Sequence, residues 1–300
     1  GGRVAFTPAS EIKMRAAKWL YDLRIPLGMI TLLAGREGIG KSTITYDLIA
    51  KITRGLLEGR FFGVPKSVGI VATEDTWEEV ILPRLVAAGA DLTRVFRIAP
   101  KVVNGGTAGP ITLPDDLPAV ARLCARHDVV LIVLDPIMSV INSRTDTHKN
   151  AEVRAKALEP LAGFARTSQV TVLALIHVTK SGRTDPLESI TGSKAFTEVA
   201  RSVLYCIRDP DVEDGEGYLF THPKSNLGKE QPSVRYRILE VKVELDPATV
   251  EPGDDTVIRT SRIVWGEEEF PPAPVIEPPR VPEPRKHFVI RHRLDINAER

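Results

Sequence analysis

The feature that most constrains this chain is the run Gly35-Arg36-Glu37-Gly38-Ile39-Gly40-Lys41-Ser42. It fits the pattern G-x-x-x-x-G-K-S/T, and each part has a physical reason. Glycines leave backbone N–H groups unobstructed, so the loop wraps closely around anionic oxygens. A helix opening near Lys41 points its positive dipole end at the same place. Lys41 adds a point charge, and the Ser42 hydroxyl is a hard oxygen ligand for magnesium. The apolar stretch 29–34 runs into the motif, and the helix-compatible segment 41–54 leaves it. A phosphate-binding loop sits in that context, so a nucleoside triphosphate, ATP foremost, is the expected ligand with Mg2+. Gly35 to Ser42, with Thr43, are the candidate contacts.

Other apolar runs organise the rest. Segments 68–73, 129–134 and 170–177 are continuous and apolar, and 95–99 is a shorter strand candidate. Helical patterns at 76–88, 115–127 and 150–167 separate them. Buried strands alternating with helices predict an α/β fold with a parallel sheet covered on both faces. Beyond about residue 200, strands at 202–207, 217–221, 234–243 and 256–265 suggest an antiparallel extension. Residues 9–23 predict a short helix capped by Ser10. Segment 266–287 is proline-rich, which predicts an extended tail with no core of its own. The expected division is therefore a helical segment 1–25, a domain 26–265 and a disordered tail 266–300.

With 300 residues, 43% apolar and 26% charged, the chain has material for a real core. A net charge of +1 neither forecasts nor excludes a nucleic-acid partner. Cys124 and Cys206 lack zinc spacing and are expected as buried thiols in a reducing compartment. No apolar run reaches the ~18 residues that span a bilayer, and no secretory pattern opens the chain. A cytoplasmic location is the expectation. The Gly-Gly start without methionine is compatible with a fragment.

Asp135 closes the strongest apolar strand, where a lone carboxylate is costly without a partner. A magnesium ion is the natural one, and a turn-capping role beside Pro136 is the alternative. Proline after Asp135 leaves no adjacent carboxylate to orient an attacking water. Glu74, ending the 68–73 strand, fits that role, because parallel strands deliver their ends to one rim. Asp75 beside it suits the N-cap of the next helix.

These residues, with LALIHVTKSG, TGSKAFTEVARSVL and HPKSNLG, resemble the RecA-like ATPases of the RepA and DnaB hexameric helicase group over about residues 20–240. The plasmid and phage RepA branch is the nearest likeness. The resemblance implies a RecA-like P-loop fold, with Gly35 to Ser42 as the Walker A loop, Glu74 as catalytic glutamate and Asp135 as the Walker B aspartate. It implies His177 as a polar sensor of the γ-phosphate. Arg201 matches an arginine finger reaching a neighbour's site, and Lys224 and Asn226 match an element near the subunit interface, with Lys224 counted among the candidate nucleotide contacts. A satisfied strand-end histidine and an ordinary surface arginine are the plain alternatives, and Lys229 competes with Lys224.

The implied activity is Mg-dependent ATP hydrolysis by a homo-oligomeric ring, a hexamer, moving on single-stranded DNA as a replicative helicase, without a membrane. Loops 141–150 and 179–192, carrying Arg144, Lys149, Lys180 and Arg183, would face the DNA. They carry acids as well and no aromatic residue. Alternatives are a non-translocating RecA-like ATPase, as in a recombination mediator or regulatory switch, and the ATPase half of a primase-helicase. A small-molecule kinase needs an arginine-rich lid, which 180–192 does not supply.

Overall fold

The computed structural model describes residues 5–100, 111–142, 145–147, 149–179, 185–192, 194–212, 217–246, 250, 253, 255–266 and 275–276. In chain order the strands are β1 (Trp19–Tyr21), β2 (Ile25–Pro26), β3 (Ile30–Gly35), β4 (Ser67–Ala72), β5 (Val95–Arg97), β6 (Val129–Asp135), β7 (Thr171–His177), β8 (Ser202–Arg208), β9 (Tyr218–Ser225), β10 (Val234–Glu244), β11 (Val257–Trp265) and β12 (Val275–Ile276). The helices are α1 (Lys41–Thr53), α2 (Leu82–Ala88), α3 (Leu117–Arg126), α4 (Asn150–Val153), α5 (Glu159–Ser168) and α6 (Ala195–Val199).

A ten-stranded sheet runs in the order β11-β10-β9-β8-β3-β7-β6-β4-β5, with β12 beside β10. The six strands from β8 to β5 are mutually parallel. Their apolar side chains alternate between faces, as the pleat requires. Leu32, Ile132, Leu134, Val172 and Ala174 join α3 and α5 in one cluster. Leu33, Leu131, Val133, Leu173 and Leu175 join α1 and α2 in the other. Continuous apolar strands are what burial on both faces selects. This is the RecA-like P-loop arrangement, a mostly parallel sheet flanked by helices with antiparallel strands on one side.

The antiparallel extension forms, with one refinement: β8 is parallel to β3 and only β9, β10 and β11 reverse. The hairpin of β10 and β11 curls onto the helices, where Val241 and Val243 pack with Val86 and Ala87 of α2. Two helical stretches widen just before a proline. The Leu82 N–H bonds to Trp77 O ahead of Pro83, and the Glu159 N–H to Arg154 O ahead of Pro160. Proline lacks the donor that a regular turn would use, and a five-residue spacing replaces it locally.

The N-terminal helix does not form. Ala9–Glu11 makes one 3-10 turn in which Ser10 is no cap, and residues 12–18 form no regular element and are exposed. Helix propensity without a face to bury does not hold a short helix. Trp19–Tyr21 pairs with β2 instead, with Leu20 buried and the Arg60 N–H donating to Trp19 O at 2.8 Å. A boundary at residue 25 therefore cuts through a hairpin that is part of the domain. In the tail, Val275–Ile276 pairs with Lys242 and Val243 of β10; residues 267–274 and 277–300 lie outside the described residues. Among the described residues no helix is long and apolar enough to cross a membrane. Both cysteines are buried thiols.

His222 on β9 pins the β1–β2 hairpin to the sheet. Its Nδ1 accepts from the Gln231 N–H at 3.1 Å, which puts the ring proton on Nε2, 2.9 Å from Ser202 Oγ. Ser202 Oγ donates in turn to Arg24 O at 2.6 Å. Burial, then the Arg24 charge, holds this imidazole at a pKa of about 4. The unfolded chain takes up a proton near pH 6.5 that the folded chain refuses until about 4. Stability is thus full above pH 6.5 and falls as the pH drops through that window, by roughly 3 kcal/mol in all. Urea unfolding of the wild type and His222→Gln at pH 7, 5.5 and 4 is expected to show this slope in the wild type alone.

Candidate functional site

The parallel strands end at one rim, and β3 reaches it first. The chain leaves Gly35, turns through 36–39 and enters α1 at Lys41. Gly38 (φ +74°) and Gly40 (φ +87°) take left-handed backbone that side chains rarely tolerate. A Cβ on Gly40 would stand 2.8 Å from Ile238 Cδ1, while Gly38 faces open space. Gly40 caps α1 with no side chain, so the first N–H groups of the helix keep their positive potential.

Lys41 is only 8% exposed, and its ammonium donates to Gly35 O at 2.9 Å and Arg36 O at 2.8 Å. Burial lowers its pKa, with Cys206, Asp135, Glu37 and Glu74 opposing the shift. A desolvated ammonium resting on neutral carbonyls favours an anion beside it. Ser42 Oγ donates to Asp135 Oδ2 at 2.8 Å, although β7 separates their strands. Burial raises the Asp135 pKa, the Ser42 hydrogen bond lowers it, and Asp75 and Glu74 add to the rise. A hydroxyl and a carboxylate in contact are the hard oxygen pair with which magnesium is held alongside phosphate and water. No group of three or more His, Cys, Asp or Glu residues is placed for a metal among the described residues. The donors present fit Mg2+ on a nucleotide rather than an all-protein cage.

Ala72, the last residue of β4, is in register with Asp135, and the Thr73 N–H donates to Asp135 O at 3.2 Å. Glu74 follows on the same rim with an exposed side chain. Asp75 does not cap the next helix, where Thr76 is the cap residue; it pairs with Arg84 at 3.2 Å. A guanidinium within reach outcompetes a helix end. His177 ends β7, level with Gly35 in register, so it stands between the loop strand and the Asp135 strand. Its carbonyl accepts from the Thr191 N–H at 2.9 Å.

Arg201, Lys224 and Asn226 lie elsewhere. The Arg201 N–H donates to Ile30 O, at the start of β3, and the Asn226 N–H donates to Arg201 O. Five strand steps of about 3.3 Å separate that edge from Gly35, roughly 17 Å. The Arg201 side chain is exposed. Lys224 donates to Thr197 O and to Ala200 O, closing off α6, and burial followed by the Arg201 charge lowers its pKa. One chain thus gathers Gly35 to Thr43, Glu74, Asp135 and His177 at one rim, and Arg201, Lys224 and Asn226 at the other. Lys149 is exposed and pairs with Asp146 at 3.5 Å; Arg144, Lys180 and Arg183 lie outside the described residues.

The sequence reading did not single out a cleft of about 440 Å3 beside the loop, lined by Arg36 to Ile39, Tyr205, Arg208 and Tyr218. The Arg208 guanidinium carbon sits 5.8 Å from the Tyr218 ring centroid. Nor did it find Tyr236, whose phenol reaches the loop from β10. Tyr205, Tyr218 and Tyr236 fall within the strands expected from the sequence, but nothing local says which strand returns to the phosphate loop.

A family model described as AAA domain matches residues 7–183. No curated protein matches the chain in sequence. Among solved structures, one described as "ATPase Domain of G40P" superposes with a TM-score of 0.53 at 12% identity, covering 70% of this chain and 81% of that one. At that identity the likeness is one of fold.

The buried ammonium makes Lys41 separable from stability. Lys41→Met is expected to keep the melting temperature without nucleotide within a few degrees, since it removes a desolvated charge. It should abolish the rise that saturating ATP and Mg2+ give the wild type, on the order of 2–3 kcal/mol at a hundred times Kd. Thermal melts with and without nucleotide check this.

Proposed function

The chain belongs to the AAA domain family, and from that premise we propose that it is a Mg-dependent ATPase that works as a ring of identical subunits on single-stranded DNA, a replicative helicase of phage or plasmid type. The observation that carries this reading is the division of residues between two rims. Lys41, Ser42, Glu74, Asp135 and His177 stand at one edge of the sheet, and Arg201 stands a strand length away at the other. A finger so placed serves the site of a neighbouring copy. Closed rotational symmetry then repeats the pairing around a ring.

The chemistry follows from the geometry. The N–H groups of the loop and the start of α1 hold the β- and γ-phosphates, and Lys41 adds its charge. The nucleobase enters the cleft between the loop and β8, against Arg208 and Tyr218. Ser42 and Asp135 would hold magnesium, which would neutralise charge on the transferred phosphoryl group. Glu74 orients a water in line with the γ-phosphorus and accepts its proton. Attack forms the new P–O bond, the bond to the β-phosphate oxygen breaks, and ADP and phosphate are released. The neighbour's Arg201 stabilises the charge that develops on the equatorial oxygens. His177, between the loop strand and the Asp135 strand, reports the γ-phosphate to the loop at 179–192, which with 141–150 and its Lys149 would meet the DNA backbone.

ATP turnover titrated with single-stranded DNA, alongside light scattering, tests the reading. Stimulation of turnover and a multimeric mass are expected; unstimulated turnover by a strict monomer would sink it. Glu74→Gln is expected to lower kcat by about 10²–10⁴-fold, the span of a lost general base, with nucleotide Kd within about twofold.

A further inference from the structure

A phosphate loop made of glycines has few side chains with which to fix its own peptide planes. Ile39 is the apolar residue in its turn, and it is buried. Its carbonyl accepts a hydrogen bond from the Tyr236 phenol at 2.7 Å, a partner 197 residues away on β10. In a trans peptide the C=O and the following N–H point in opposite directions. Fixing the Ile39 carbonyl toward β10 therefore turns the Gly40 N–H away from β10. Two residues along the same face of β10, Ile238 occupies the space that a Gly40 Cβ would need.

Tyr236 is itself tightly held. It has no exposed surface. Its ring stacks on Tyr218 at 5.3 Å between centroids and lies 5.7 Å from Trp265. The Cys206 thiol, beside Lys41, also interacts with its hydroxyl, and burial keeps the phenol protonated and the Cys206 thiol up at about 12. The phenol is thus a permanent donor. A rigid donor on a buried carbonyl costs little reorganisation when the ligand arrives.

We propose that Tyr236 is a positioning residue for nucleotide binding, which acts through the Ile39–Gly40 peptide to aim the Gly40 N–H at the nucleotide phosphates. This rests on the reading of Gly35 to Ser42 as the ATP site. It brings β10 into that site, although β10 lies beyond the residues matched by the family model. The loop N–H groups serve phosphates that ADP and ATP share, so both nucleotides depend on Tyr236.

Calorimetric titration of the full chain with Mg-ADP and Mg-ATP tests this. Tyr236→Phe keeps the ring and removes only the donor. It is expected to weaken ADP and ATP binding alike, by about tenfold, with kcat at saturating ATP within about twofold of wild type. Thr53→Val is the control. It removes the hydrogen bond that Thr53 Oγ1 accepts from the Asp91 N–H, 3.1 Å long, at the end of α1 far from the loop. That variant should lose stability but keep Kd within about twofold. Unchanged ADP affinity in Tyr236→Phe, beside a wild type that binds ADP, would overturn the proposal. A wild type that binds neither nucleotide would instead overturn the ATP-site reading. Glycine-labelled wild-type protein gives a second measurement that needs no variant: the Gly40 amide resonance is expected to shift strongly on adding ADP, and an unmoved resonance would also overturn the proposal.

Discussion

A loop that must leave its N–H groups bare has few side chains with which to hold its own shape, and the rest of this structure answers that constraint. Gly35, Gly38 and Gly40 make room for an anion at the expense of local rigidity. The rigidity comes from neighbours. β3 delivers the loop from the middle of the sheet, with β7 and β8 on either side. From β8, the Cys206 carbonyl would lie only 3.0 Å from a Cβ on Gly35. From β10, Tyr236 and Ile238 meet Ile39 and Gly40. Trp265 of β11 then fastens the helix that follows through Asp47, itself paired with Lys51 at 2.8 Å. The antiparallel strands therefore act as a backstop as well as a sheet extension.

The same packing sets the electrostatics. Burial pushes the Lys41 pKa down and the Asp135 pKa up, so each is held in a state that an opposite charge would relieve. The Ser42 hydrogen bond and, less strongly, the Lys41 charge favour the Asp135 carboxylate against the burial that opposes it. A magnesium–nucleotide complex would supply both missing charges at once, the anion for Lys41 and the cation for Asp135. Binding and preorganisation would then be one property, because the groups offered to phosphate are the ones the fold has stripped of water.

The parallel half was legible in the sequence because strands buried on both faces are continuous apolar runs, as 129–134 and 170–177 are. The phosphate loop was legible because its chemistry permits few residue types. Residues 9–23 misled, since helix propensity says nothing about whether a face will be buried, and Trp19–Tyr21 had a strand partner at Ile25–Pro26. Asp75 misled because Arg84, nine residues on, offered a stronger partner than a helix end. Tyr236, Arg208 and Tyr218 stayed hidden for a different reason. Alternation identifies a strand and its faces, but the return of β10 to the loop is a matter of sheet order, which no local pattern encodes. The far placement of Arg201 was likewise invisible until β8 was seen beside β3.

The central claim is that one chain carries half of each catalytic site. Mixing two inactive variants tests it most directly. Lys41→Met keeps Arg201 but spoils its own loop, and Arg201→Ala keeps the loop but has no finger to lend. Each alone should turn over ATP at a small fraction of the wild-type rate, and an equal mixture should recover up to about a quarter of it, as randomly mixed rings would place an intact loop beside an intact finger at that frequency. A mixture no more active than the two variants measured apart, in chains shown to exchange, would contradict a site shared between subunits.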